Sequence, residues 1–225
     1  MFFDPTFVIL IPALILAFYA QYKVKSTYYK FLQVPSASGR TGREVARTIL
    51  SRNNMEDVKI EMVEGTLSDH YDPRTKVLRL SRDVYEGNSV SALGIAAHET
   101  GHAIQDRTGY APMRIRHQLV PVANIGTMAA FPLFIAGLIF RMSALMDIGI
   151  LLFAGALVFQ LVTLPVEFNA SHNAMSELEK AGLVDPRDLA GGRKVLSAAA
   201  LTYVAAAAMT AGNLIRLLML RGSRD

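Results

Sequence analysis

The sequence predicts a mostly α-helical, multi-pass membrane protein in which about four transmembrane helices accompany a small α+β cytoplasmic segment. Three observations lead there. Apolar residues are gathered into long runs, at 7–20, 119–140, 148–166 and 198–220, rather than spread at amphipathic spacing. The stretch between the first two runs is mostly polar. Within it, a helix-like segment at 89–106 contains His98-Glu99-Thr100-Gly101-His102.

Taken in order, the first run reaches a length able to cross a bilayer of about 30 Å if Phe2, Phe3 and Tyr22 serve as interfacial anchors. It lacks a basic leading region and is followed by Tyr22-Lys23-Val24-Lys25 rather than by small residues, so 1–22 reads as a retained anchor, not a cleaved signal. Residues 23–118 suffice for a small domain. In it Ser36-Ala37-Ser38-Gly39 is a loop, and Thr41-Gly42-Arg43-Glu44 is a capping box that starts a helix running to about Asn53. Alternation at 58–63 and 76–80 predicts a strand pair beside the histidine helix, with Tyr71-Asp72-Pro73-Arg74 as a turn. Asp69-His70-Tyr71-Asp72 reads as turn chemistry rather than as a second metal site. Residues 119–166 form a transmembrane hairpin connected at 141–147, and 167–196 return to a cytoplasmic helical segment. The last run, 197–220, is Ala-rich and interrupted by Asn213 and Arg216, so it either spans or packs against the other helices.

Basic residues set the orientation. Lys23, Lys25 and Lys30 follow the first run while Asp4 precedes it, which places the N-terminus outside. Arg114, Arg116 and His117 before the second run, with Arg187, Arg193 and Lys194 before the fourth, are then cytoplasmic; Arg221 and Arg224 dissent. Topology therefore accounts for the net charge of +4, and no nucleic-acid motif is expected.

The H-E-x-x-H spacing carries the chemistry. A separation of four puts both imidazoles on one helical face, able to share one Zn²⁺, with Glu99 beside them to take a proton from a metal-activated water. The alternative is a buried helix with two neighbouring histidines by accident. Small residues from Ala92 to Ala97 predict burial, and buried imidazoles need partners. A catalytic zinc takes three protein ligands, and a chain with no cysteine must supply the third as His, Asp or Glu. Glu167, just beyond the third run and Pro165, is the candidate, with His172 as the alternative; His70 and His117 repeat no metal spacing. Two spans separate Glu167 from His98, and an even number returns the chain to the same side of the membrane. Gln105 and Asp106 read as a solvated helix end, with steadying of His102 as the alternative. Asn169, His172 and Tyr203 are candidate oxyanion donors.

The order of parts, with HETGHAIQ, the stretch Thr66-Leu67-Ser68-Asp69-His70-Tyr71-Asp72-Pro73, the stretch Pro165-Val166-Glu167-Phe168-Asn169-Ala170-Ser171, and the Ala-rich segment from Ala198 to Ala207, resembles the YugP-like membrane zinc metallopeptidases. More distantly it resembles the HtpX and CAAX-prenyl-protease class of membrane gluzincins. The resemblance implies a zincin-like segment in which His98, His102 and Glu167 bind zinc and Glu99 is the general base. It also implies cleavage of peptide or membrane-protein substrates near the membrane surface. The more distant class usually carries Asp four residues after its glutamate ligand. This chain has Ser171, which can accept the same imidazole N–H bond without adding charge. A zinc-stabilised scaffold or chaperone-like protein is the rival expectation; a transporter is a third, supported only by polar residues in the spans, and runs without paired charges make a poor pathway.

Overall fold

The computed structural model describes residues 5–222, so Phe2, Phe3, Asp4 and Arg224 lie outside the described residues. A 3-10 turn, Pro5–Leu10, leads into α1, Ile11–Leu32. Then come α2 Gly42–Arg52, β1 Lys59–Val63, β2 His70–Asp72, β3 Val77–Ser81, the single turn α3 Arg82–Tyr85, and α4 Val90–Arg107. Three long helices follow, α5 Ala111–Phe140, α6 Ser143–Lys180 and α7 Pro186–Gly222. The expected fold class is thus observed.

Two compact units divide the chain. One comprises the chain up to Gln21, Ala111–Pro165 and the chain from Leu201; the other is Tyr22–Tyr110 with Val166–Ala200. Among the described residues, four helical stretches are long and apolar enough to cross a membrane: Thr6–Leu32, Ala111–Phe140, Ser143–Lys180 and Pro186–Gly222.

In the first unit α5 and α6 form an antiparallel hairpin whose connection is only Arg141 and Met142, shorter than the expected 141–147 because α6 already starts at Ser143. Small residues let the backbones close. A Cβ added to Gly126 would lie 2.8 Å from the Leu152 carbonyl, and one on Gly149 would lie 2.7 Å from that of Ala130. The charges that interrupt the last run are partnered. Arg216 reaches the Thr6 hydroxyl at 3.3 Å and lies over the Phe7 ring, while Arg221 pairs with Asp147 at 3.0 Å. The helix therefore continues to Gly222.

The second unit is built around α4. The capping box forms as the sequence requires: Thr41 Oγ accepts from the Glu44 N–H and Glu44 accepts from the Thr41 N–H. Residues Val45, Ala46, Ile49 and Leu50, at helical spacing on α2, bury against Ala92, Leu93, Ala96 and Ala97 of α4. Gly42 lets the start of α2 close on both α3 and α4, since a Cβ there would strike the Val84 carbonyl and come within 3.1 Å of the Ala92 carbonyl. The sheet differs from the expected strand pair. It has three strands in the order β1-β3-β2, with β1 parallel and β2 antiparallel to β3. The segment His70–Asp72, which reads as turn chemistry, is itself the added edge strand, and the turn follows it. Asp72 still does turn work there, accepting from the Arg74 N–H at 3.0 Å and the Thr75 hydroxyl at 2.7 Å. Apolar residues of β3 join the core with Tyr28, Leu50 and Ile95.

Candidate metal centre

α4 starts at Val90 with Ser89 as its cap, the Ser89 hydroxyl accepting from the Ala92 N–H at 3.1 Å. Nearly its whole circumference is buried, as the run of small residues predicts. Two close crossings fix it. Gly94 lies against Gly192 of α7, and a Cβ on Gly101 would sit 2.5 Å from the Ala170 carbonyl of α6. Gly101 is one of the two unspecified positions of H-E-x-x-H, and Ala170 lies between Glu167 and Ser171. The absence of one side chain thus brings the histidine helix within reach of the glutamate helix.

The glutamate is carried within α6. α6 runs through Pro165, whose missing N–H costs one internal hydrogen bond in a helix long enough to tolerate it. Glu167 is 2% exposed and its Oε2 lies 3.3 Å from His98 Nε2 and 3.6 Å from His102 Nε2. The two rings meet edge to face at 81°, with centroids 4.8 Å apart. Among the described residues, His98, His102 and Glu167 are the group whose ligand atoms all fall within 4.8 Å of one another. His172 is exposed and is not in this group.

These donors fit a zinc ion. Bonds of 2.0–2.2 Å at tetrahedral angles put neighbouring ligand atoms about 3.3–3.6 Å apart, which matches both contacts of Glu167. The outward nitrogens of both rings are engaged elsewhere. His98 Nδ1 is 3.1 Å from Ser171 Oγ, where the resemblance puts a serine in place of an aspartate, and His102 Nδ1 is 3.0 Å from Gln105 Oε1. The preferred reading of Gln105 as part of a solvated helix end is therefore wrong. It is fully buried, because α6 covers that end of α4, and it donates to the Val166 carbonyl at 2.7 Å and to Asn169 Oδ1 at 2.9 Å. Asp106 instead accepts from the Tyr71 hydroxyl at 2.9 Å, tying α4 to strand β2.

The electrostatics suit a cation. Burial pulls the His102 imidazole toward its neutral form, but the hydrogen bond to Glu167 and the charge of Glu99 outweigh it and hold its pKa above the usual histidine value. Asp69 is raised above the usual carboxylate range mainly by burial, relieved by its bonds from Ser81 and reinforced by the charge of Glu99. Its oxygens accept from the Ser81 N–H at 2.7 Å and hydroxyl at 3.1 Å. Glu99 is itself nearly buried, on the helix that carries both imidazoles. Of the candidate oxyanion donors, Asn169 is oriented on α6 by its oxygen, which accepts from Gln105 and Asn173.

With this geometry in place, the chain can be assigned to a class. Residues 6–222 match the family described as "putative neutral zinc metallopeptidase", and the chain belongs to that family. Among curated proteins it is similar to the "Putative membrane protease YugP" of Bacillus subtilis (strain 168), 48% identical over 210 residues that make up 93% of each chain. No solved structure matches it. The protein is accordingly a zinc metallopeptidase of the membrane, with zinc as its cofactor.

Proposed function

We propose that the chain is a membrane-embedded, zinc-dependent endopeptidase of the gluzincin type, cleaving peptide or membrane-protein substrates at the cytoplasmic surface of the bilayer. The observation that carries this reading is the convergence of His98, His102 and Glu167, the glutamate at tetrahedral spacing from both imidazoles, with Glu99 adjacent on the histidine helix. His98 and His102 on α4 and Glu167 on α6 would hold the ion. Zinc, when bound there, supplies Lewis acidity, bringing a water's pKa from about 16 to near 7 and stabilising negative charge on the carbonyl oxygen. Glu99 takes the proton released as the water oxygen bonds to the carbonyl carbon. It then delivers that proton to the amide nitrogen as the C–N bond breaks, leaving a carboxylate and an amine. No acyl-enzyme is formed. The cytoplasmic side is supported by the lysines that follow the first apolar run and by the basic residues at Arg114, Arg116, Arg187 and Arg193.

The test compares wild type with Glu99→Gln for zinc content and for cleavage of an unfolded membrane protein. The peptidase reading expects equal zinc and a loss of turnover of roughly 10²–10⁴-fold. Cleavage that survives in Glu99→Gln would remove the general base. A zinc-stabilised scaffold would be indicated by zinc in both and cleavage in neither.

A further inference from the structure

Gln105 makes three hydrogen bonds from a buried amide, and their directions are not free. The Val166 carbonyl can only accept, so the Gln105 atom 2.7 Å from it is the NH₂ group. The same nitrogen reaches Asn169 Oδ1 at 2.9 Å, and that oxygen also accepts from Asn173 Nδ2 at 3.2 Å. Both amide N–H groups are then committed, and the oxygen is what remains to face His102 Nδ1 at 3.0 Å. An amide oxygen cannot donate. The proton in that contact must therefore sit on Nδ1, which in the neutral ring makes Nε2, on the Glu167 side, the nitrogen that carries the lone pair.

We infer that Gln105 is a positioning residue that assigns the tautomer of His102 from the backbone of α6 and clamps that imidazole to the turn carrying Glu167. This rests on the reading of His102 and Glu167 as zinc ligands. Val166 is the peptide neighbour of Glu167, so one side chain grips a ligand on α4 and the backbone beside a ligand on α6. The other imidazole is held differently. Ser171 Oγ can donate or accept, so its contact with His98 does not by itself dictate which ring nitrogen carries the proton.

The experiment uses the full chain in detergent as wild type, Gln105→Leu and His102→Ala. Zinc affinity is measured by competition with a chelator, and thermal unfolding is measured on the metal-free forms. In parallel, ¹⁵N spectra of the His102 ring are recorded on metal-free wild type at a pH where the ring is neutral. The expected result is a proton on Nδ1, and a zinc affinity 10–100-fold weaker in Gln105→Leu, beyond whatever fall in metal-free unfolding temperature the lost hydrogen bonds bring. A proton on Nε2 overturns the inference even if the variant fails to fold. Equal zinc affinity in wild type and Gln105→Leu overturns it as well, as does a variant whose only change is a lower metal-free unfolding temperature. Zinc binding unaffected by His102→Ala would instead remove the ligand reading beneath it, and this inference with it.

Discussion

The two units of this chain solve opposite burial problems. In the unit of long helices, large apolar side chains point outward: Phe18, Met128 and Leu151 are each more than 70% exposed, and the hairpin is closed by Gly126 and Gly149 rather than by large interlocking residues. In the unit that carries the metal centre, large apolar residues such as Leu50, Leu78 and Leu80 are fully buried, and polar groups are buried with them. Several buried polar groups of that unit are hydrogen-bonded: Ser91 to the Tyr28 carbonyl, Thr100 to that of Ala97, Gln105 to three partners. The difference teaches what each solvent demands. Lipid accepts an apolar exterior and rewards close backbone approach, whereas water drives apolar residues inward. A polar centre can be kept inside only when its hydrogen bonds are complete.

The comparison can be broken most directly with matched truncations. Leu80→Ala in the water-type core is expected to destabilise by about 2–5 kcal/mol through lost burial and a residual cavity. Leu151→Ala, on a face we assign to lipid, is expected to cost well under that in detergent unfolding experiments, since no protein cavity is opened. Equal losses would mean that Leu151 faces protein and that the outward-facing assignment fails.

A smaller effect sharpens the same contrast at the crossing of α4 and α6. Gly101→Ala places a methyl group against the Ala170 carbonyl, a contact too short to keep, so the helices must separate. Overpacking of this kind costs about 1–3 kcal/mol. Because the displaced turn carries Glu167 and Ser171, zinc affinity is expected to fall more than stability does. Isothermal zinc titration alongside unfolding reads both, and a variant that loses stability but keeps wild-type zinc affinity would show that the crossing does not set the ligand geometry.

The smallest expected effect concerns the turn after β2. The Thr75 hydroxyl, with the Arg74 N–H and Arg79, holds the Asp72 carboxyl below its usual range. A carboxylate whose pKa is depressed in the folded state contributes stability above its unfolded value, near 4, and loses it as pH falls through the folded value. Asp72→Asn should therefore be slightly less stable than wild type at pH 7, with the gap closing below about pH 4. A gap that widens on acidification would contradict the hydrogen-bond assignment.

Much of this was legible in the residues because it depends on local rules. The Thr41 capping box, the apolar runs and the i, i+4 histidines each follow from spacing along one helix. Glu167 was reachable because counting spans is a topological argument that needs no packing. What was not legible depends on partners distant in sequence. Strand β2 is three residues long and ends on Asp72 directly before Pro73 of the turn, so its pairing with β3 overrides a turn-like composition. The parallel pairing of β1 with β3 leaves no local signature. Gln105 reads as a helix end facing water until α6 is laid over it.

The central claim is that two imidazoles of α4 and one carboxylate of α6 hold a single zinc. Zinc-edge X-ray absorption on the purified full-length protein, with metal stoichiometry measured on the same sample, tests it most directly. The expected result is one zinc per chain with two imidazoles and oxygen donors at about 2.0–2.2 Å, and loss of that zinc in Glu167→Ala. A zinc bound by one imidazole or none, or a Glu167→Ala protein that keeps its metal unchanged, would contradict the account.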